Sequence, residues 1–545
     1  MKKTIQTLML FTSLFCFFAC SKNKEAKTSD GDITLTFFTS DATEDMPFTD
    51  PVAQEIQKIT GVTLSVEHPV AGDAQAIPLM MASGEYPDLI FAKGELTKLI
   101  DAGAVIPLDD YIEKYGSNMK KLYGDQLGKL RNSLDDPHIY SAGTYGVKEQ
   151  QLETTGNMQL QHAVLKELGY PKITTLDEYA DAIRQYIKKY PEINGQKTIG
   201  FSLLIDTWQW MIDLSNPGNY TIGYPDDGQW IVDQTTLKAQ YKFLHPEIYK
   251  YYKWLCDMNK EGLLDPESFV QKEDIWRAKI ASGRVLGISY PLWGYSEARS
   301  SLIQSGMEDR TYAYLPVTAG KEYKDPSLKN YGYSGGWGIA ISSTCKDPVR
   351  AFKFLDWMCS EEAQILCNWG IKDVNYYIDE NGKRARSAEE IKEANTNPDY
   401  AKKTGVGRWT YPFPQAGSAA LDSNGDFITK VSRQNVISNY LDVEKETLAA
   451  YGAEMWIDLF PTPEELGPSK HGQVWQYALP TEVNEKVTAA DEYVKTALAQ
   501  IVLGEPANFD ASWNAMQEKL RKMGLEQAGD ELSALIQNKI KLWKE

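Results

Sequence analysis

An α/β fold is predicted by hydrophobic periodicity that switches between strand and helix along the N-terminal stretch. Ile33, Leu35 and Phe37 alternate with Thr34 and Thr36, so one face of a strand is apolar. Asp50-Pro51 then supplies an N-cap and a first-turn proline. Val52, Ala53, Ile56 and Ile59 follow on one helical face, with Gly61 where a helix commonly ends. Val62, Leu64 and Val66 alternate again, and two adjacent strands joined by a helix are parallel because the crossover returns the chain to the same end. A second unit repeats the pattern: a helix from Ala74 to Ser83, Gly84 as its stop, and the continuous apolar run Leu89 to Ala92, which suits a strand covered on both faces.

Further elements follow. His162 to Gly169 reads as a helix ended by glycine, and Thr175-Leu-Asp-Glu178 is a capping box opening a helix that buries Leu176, Tyr179, Ala180, Ile183 and Ile187. Helix end, turn and strand occupy Ala278 to Ser289, and Tyr312 to Pro316 is another short strand. The glycine-rich Gly335 to Ser342 leads into the strand Gly338 to Ile341. Asp347-Pro348 caps a helix with Ala351, Phe354, Leu355 and Met358 inward, and Asp379 to Gly382 is a hairpin turn. Three helices close the chain: Val487 to Leu503, Asp510 to Met523 and Asp530 to Trp543.

A chain of 545 residues needs more than one core. Its 42% hydrophobic and 24% charged residues exclude disorder and coiled coil for the bulk of it. A formal charge of −18 opposes nucleic acid as the main partner, since phosphate binding needs a basic surface, and it favours a neutral over an acidic ligand. The first residues are a leader: Lys2 and Lys3, an apolar run from Leu8 to Ala19 too short for a membrane span, then Cys20 before a polar stretch. Residues 1–19 are therefore expected as a signal peptide, Cys20 as a lipidated residue anchoring the chain outside the membrane, and 20–31 as a tether. Cys256, Cys345, Cys359 and Cys367 show no C-x-x-C spacing; a disulfide among them is not deducible, and small buried hydrophobes are the favoured reading.

Catalytic constellations are scarce. The five histidines form no metal or triad spacing, and no phosphate-binding glycine loop opens a helix. Neither a cofactor nor a structural metal is expected. Paired carboxylates recognised only in space keep a secreted carbohydrate-active enzyme as an alternative. Aromatic residues are the better lead, with 14 Trp and 31 Tyr. Trp208, Trp210, Trp293, Tyr333, Trp337 and Trp409 sit beside glycines, prolines and turns rather than on periodic apolar faces. A flat ring covers the C–H face of a sugar at low entropic cost.

Several segments carry a family likeness in their order: Ser83-Gly-Glu-Tyr-Pro-Asp-Leu-Ile90, Leu165 to Gly169 before Thr174 to Glu178, and Glu261-Gly-Leu-Leu-Asp-Pro266. Ser282 to Gly287 with Trp293, Tyr314-Leu-Pro316, and Gly335 to Ile341 before Asp347-Pro348 continue it. With the lipobox-like Cys20, the chain resembles family 1 extracellular solute-binding proteins of ABC transporters, in the large LipO-like lipoprotein branch that includes oligosaccharide binders. The resemblance implies a two-lobed periplasmic-binding-protein-like clamp of type II, with discontinuous lobes joined by a hinge. Residues 32–143 plus 286–318 would form the N-terminal lobe and 144–285 plus 319–545 the C-terminal lobe. It implies capture of a carbohydrate without chemistry, delivery to permease subunits, and a monomer. By position, Asp41 and Lys93 are candidate hydroxyl ligands, and Tyr145, Trp208, Trp210, Trp293, Tyr333, Trp337 and Trp409 candidate stacking residues. Another surface glycan-binding lipoprotein, of helical-repeat build, is the second alternative. Some large relatives carry a calcium loop after the capping-box helix; here that stretch is Tyr190 to Thr198, with one carboxylate and one amide, too few for a hard cation.

Overall fold

The computed structural model describes residues 31–42, 44–69, 73–154, 157–477 and 479–544. The expected signal peptide and Cys20 lie outside the described residues, as does all of the tether but Gly31. Nine strands build two sheets: β1 (Ile33–Thr39), β2 (Val62–Glu67), β3 (Leu89–Phe91), β4 (Ser141–Gly143), β5 (Gln159–Gln161), β6 (Ile199–Phe201), β7 (Val285–Ile288), β8 (Tyr312–Tyr314) and β9 (Gly338–Ile341). The first sheet has the order β2-β1-β3-β9-β4 and the second β8-β5-β7-β6.

In the first sheet β1 pairs in parallel with β2 and with β3, as the two crossover helices require. Asp50 caps helix Pro51–Thr60 through a hydrogen bond accepted from the Ala53 amide at 2.8 Å, and Gly61 ends it in the left-handed region at φ 67°. Val52, Ala53 and Ile56 are buried on the sheet, while Ile59, in the last turn, is 40% exposed. β9 enters antiparallel between β3 and β4, matching Ile339 with Phe91 and with Ala142. Helix Pro348–Met358 follows it and buries Ala351, Phe354, Leu355 and Met358 in the same core as Leu35, Phe37 and Ile339.

The second sheet has its own, larger core. The capping box of helix Leu176–Lys189 is complete, with Thr175 accepting from the Glu178 amide and Glu178 from the Thr175 amide. Its Tyr179 packs over β7, where only a glycine fits at position 287: a Cβ there would collide with the Tyr179 hydroxyl. Helices Tyr249–Lys260, Thr481–Val502, Phe509–Lys522 and Leu525–Leu542 complete this body, with Leu255, Val494, Leu498, Met516 and Leu532 fully buried.

The chain thus forms a two-lobed α/β molecule whose lobes are discontinuous in sequence. Segment assignment departs from the expectation for 286–318. β7 pairs in parallel with β6 and antiparallel with β5, and β8 pairs with β5, so this stretch belongs to the second sheet. The strand that returns to the first sheet is β9, and residues onward to Phe413 pack in the first core. The C-terminal lobe therefore does not take everything after 319. The chain passes between the sheets in 144–158 and in 315–337. It passes again before Leu448, the first residue of the closing stretch buried in the second core.

Candidate functional site

The ends of the first sheet's strands gather a polar and aromatic cluster. Parallel register sets Thr39 beside Phe91, which carries Asp41 and Lys93, two residues on, to adjacent positions. Antiparallel register sets Ile339 beside Phe91, which brings Trp337 level with Lys93 on the other side. Thr144 donates its amide to the Trp337 carbonyl at 2.9 Å, and Tyr145 follows at the end of β4. Four strand ends thereby converge on one edge.

The side chains interlock. Lys93 takes a left-handed backbone, φ 50°, uncommon for a residue with a Cβ, and its ammonium pairs with Asp41. The same ammonium lies 5.3 Å from the Trp337 ring centroid, a cation–π contact. Tyr411 donates its hydroxyl to Asp41 at 2.6 Å and meets Phe91 edge-on. Burial, reinforced by the nearby Asp41 carboxylate, raises the pKa of both Tyr145 and Tyr411, so both hydroxyls stay protonated donors.

The second lobe contributes Trp475. Its ring packs edge-to-face on Tyr145 at 5.3 Å and on Trp337 at 4.9 Å. Buried Asp227 fixes the turn that carries it by accepting from the Val474 amide at 3.1 Å and meeting His471 Nε2 at 3.2 Å. Two glycines let the backbones approach. A Cβ at Gly228 would lie 2.9 Å from the Trp475 Cβ, and one at Gly336 would lie 2.8 Å from Tyr145 Cδ2, both residues having positive φ. The indole N–H groups of Trp337 and Trp475 have no hydrogen-bond partner among the described residues.

A second aromatic group lies on the second sheet alone. β6 and β7 are parallel, so their C-terminal ends emerge side by side and lead to Trp208 and Trp293. The two indoles stack at 6.0 Å with planes 23° apart, and they remain 41% and 57% exposed. Beneath them buried Asp213 joins the two loops, accepting from the Leu204 amide at 2.6 Å and from the Ser289 hydroxyl at 2.7 Å. Burial pushes its carboxyl up to about 7, partly offset by these hydrogen bonds.

Of the residues singled out from sequence, Asp41, Lys93, Tyr145 and Trp337 come together, and Trp208 and Trp293 form the exposed pair. Trp210, Tyr333 and Trp409 do not join either group; each is buried in a core. Trp409 Nε1 donates to Asp50 Oδ2 at 2.9 Å, so this indole braces an N-cap while packing on Phe48. Tyr333 packs on Tyr123 beneath β4. Sequence reasoning missed Tyr411 and Trp475, although Pro412 and the Gly472 turn beside them gave the same signal as their neighbours. The stretch Tyr190 to Thr198 forms a tight hairpin, with Asn194 and Gly195 at positive φ. Cys256, Cys345, Cys359 and Cys367 are free thiols, and burial pushes the Cys367 thiol up to about 12.

Residues 39–365 match the family model described as bacterial extracellular solute-binding protein. The chain belongs to that family. Among curated relatives, the fructooligosaccharide ABC transporter substrate-binding protein FusA of Streptococcus pneumoniae is 24% identical, the alignment covering 95% of each chain. Lipoprotein LipO of Bacillus subtilis is 26% identical over 60% of this chain and 64% of its own. Among solved structures, the alginate-binding protein AlgQ2 without calcium ion superposes with a TM-score of 0.67 at 17% identity, over 95% of this chain and 99% of that one. FusA in complex with kestose gives 0.65 at 19% identity, over 93% and 99%. These solute-binding proteins share the two-lobed fold.

Proposed function

We propose that this solute-binding protein is the extracytoplasmic receptor of an ABC importer, holding an oligosaccharide between its lobes and delivering it unaltered to the permease. The observation that supports the reading best is the composition of the strand-end cluster. Aromatic faces from both lobes, Trp337 and Tyr145 against Trp475, surround phenol and charged groups suited to sugar hydroxyls. A sugar bridging such groups favours the closed state through contacts unavailable in the open one. The names of the relatives point the same way: fructooligosaccharide for FusA, and N-glycan for a solute-binding neighbour from Streptococcus pneumoniae.

The protein acts without chemistry on its ligand. A glycosidase needs two carboxyl groups flanking the bond, one free to donate a proton. In the cluster, Asp41 is engaged by Lys93 and Tyr411. The anchor is a lipid on Cys20, supported by the apolar run before it and by the lipoprotein relative LipO. Anchored as a monomer outside the membrane, the receptor docks on permease subunits once closed. Thermal-shift titration against an oligosaccharide panel tests the reading, because a ligand that binds only the folded state raises Tm. A saturable rise with glycan recovered intact is expected. Progressive release of shorter products, or no shift with any glycan, would overturn it.

A further inference from the structure

A pocket of about 590 Å³, counting its solvent-open mouth, adjoins the strand-end cluster and shares Lys93 and Trp337 with it. It lies between the first sheet's surroundings, at 129–132 and 140–141, and the second lobe's Gln476, Tyr477 and Lys539. Its lining holds four cationic side chains, Lys93, Lys129, Arg131 and Lys539, and no carboxylate. Such a local charge runs against the −18 of the whole chain.

The partners of these cations matter more than their number. Lys93 is neutralised by Asp41. The Lys129 ammonium donates to the Tyr333 carbonyl at 2.7 Å, and Lys539 donates to the Asn132 carbonyl at 2.6 Å. Carbonyl dipoles orient an ammonium without cancelling its charge. Neither lysine, nor Arg131, has an ion-pair partner among the described residues. The neighbouring carboxylate Asp136 accepts from Asn132 Nδ2 at 3.1 Å. Burial without a counter-charge depresses both lysines, Lys539 to about 8. An anion entering the pocket would remove that penalty and find further donors in Asn132 and Gln476.

We infer that the pocket formed by Lys129, Arg131 and Lys539 receives an anionic substituent, a carboxylate or a sulfate ester, of the bound glycan, so that the ligand is an acidic oligosaccharide. The inference rests on the oligosaccharide reading above and deepens it. The bulk acidity of the chain then acts at a distance, and the pocket's cations act at contact.

Calorimetric titration of the purified protein with three trisaccharides tests it: a uronic-acid oligomer, its methyl-esterified neutral form, and a sulfated one. Binding of one acidic form at least ~10-fold tighter than the neutral form is expected, a charged hydrogen bond being worth that much. Which acidic form wins identifies the substituent. Lys539→Met and Arg131→Gln should each abolish most of the preference for the acidic over the neutral ligand, and Lys539→Arg should retain it. Rising salt provides a readout that needs no variant: it should weaken the acidic ligand and spare the neutral one. Equal affinity for charged and neutral forms, or a preference indifferent to both variants and to salt, would overturn the inference and leave the oligosaccharide reading standing. Failure of every neutral and acidic glycan in the wider panel would overturn both.

Discussion

The two aromatic groups differ in what their rings already touch. At the ends of the first sheet, Trp337, Tyr145 and Trp475 pack edge-to-face across the lobes, while Tyr411 and Lys93 close on Asp41. At the end of the second sheet, Trp208 and Trp293 stack on each other and leave about half their surface to water. Apolar surface already buried on protein contributes to holding the lobes. Surface still hydrated contributes only when a ligand covers it. On the function proposed above, the first group is expected to couple ligand to closure, and the second to add affinity without moving the lobes.

Substitutions separate these roles. The largest effect is expected at a ring belonging to neither group: Trp409→Ala should cost ~3–5 kcal/mol of stability by chemical denaturation, since it empties a core site and unbraces the Asp50 cap. Glycan affinity below the melting range should be unchanged, and a large loss would place Trp409 back among the binding residues. The next effect is a pH dependence. Asp213 is held protonated in the fold, from an ordinary 3.8 up to about 7. Its contribution is full below pH ~4, is lost as pH rises towards ~7, and levels off above, about 4 kcal/mol at most by linkage. Denaturation of Asp213→Asn between pH 4 and 8 should show a flatter profile than the parent. A profile as steep as the parent's would mean the carboxyl is already ionised beneath the exposed pair.

Smaller effects distinguish the two groups directly. Trp475→Ala should weaken glycan binding by ~2 kcal/mol, roughly 30-fold, and enlarge the radius of gyration of the liganded protein by solution scattering. Weaker binding with unchanged scattering would deny the coupling role. Trp208→Ala and Trp293→Ala should each cost ~1 kcal/mol of affinity with Tm unmoved, both rings being exposed. A fall in Tm would show that the pair is structural.

Local signals were the legible ones. The capping box at Thr175, the cap and proline at Asp50-Pro51, and the alternation of 33–39 and 62–67 each depend on neighbours in sequence, and each element stands where its residues predict it. The assignment of 286–318 went astray for a physical reason: Val285 to Ile288 and Gly338 to Ile341 are equally short, apolar and fully buried strands. A strand's composition reports burial and says nothing about which sheet provides it. The same limit governs the site. Trp409 and Tyr411 sit two residues apart in one proline-flanked turn, yet one indole reaches inward to Asp50 and the other ring reaches Asp41 at the strand ends. Their partners lie at the other end of the chain, beyond any local pattern.

The position of β9 has a consequence for how the protein is made. Its neighbours β3 and β4 are complete by residue 143, but the strand that joins them arrives only at 338. Until then both carry unpaired edges, the kind of surface that pairs with other chains. Long-range pairings of this type also slow folding. Fragments ending before β9 should aggregate, and the first lobe should acquire protection from hydrogen exchange only once β9 is present.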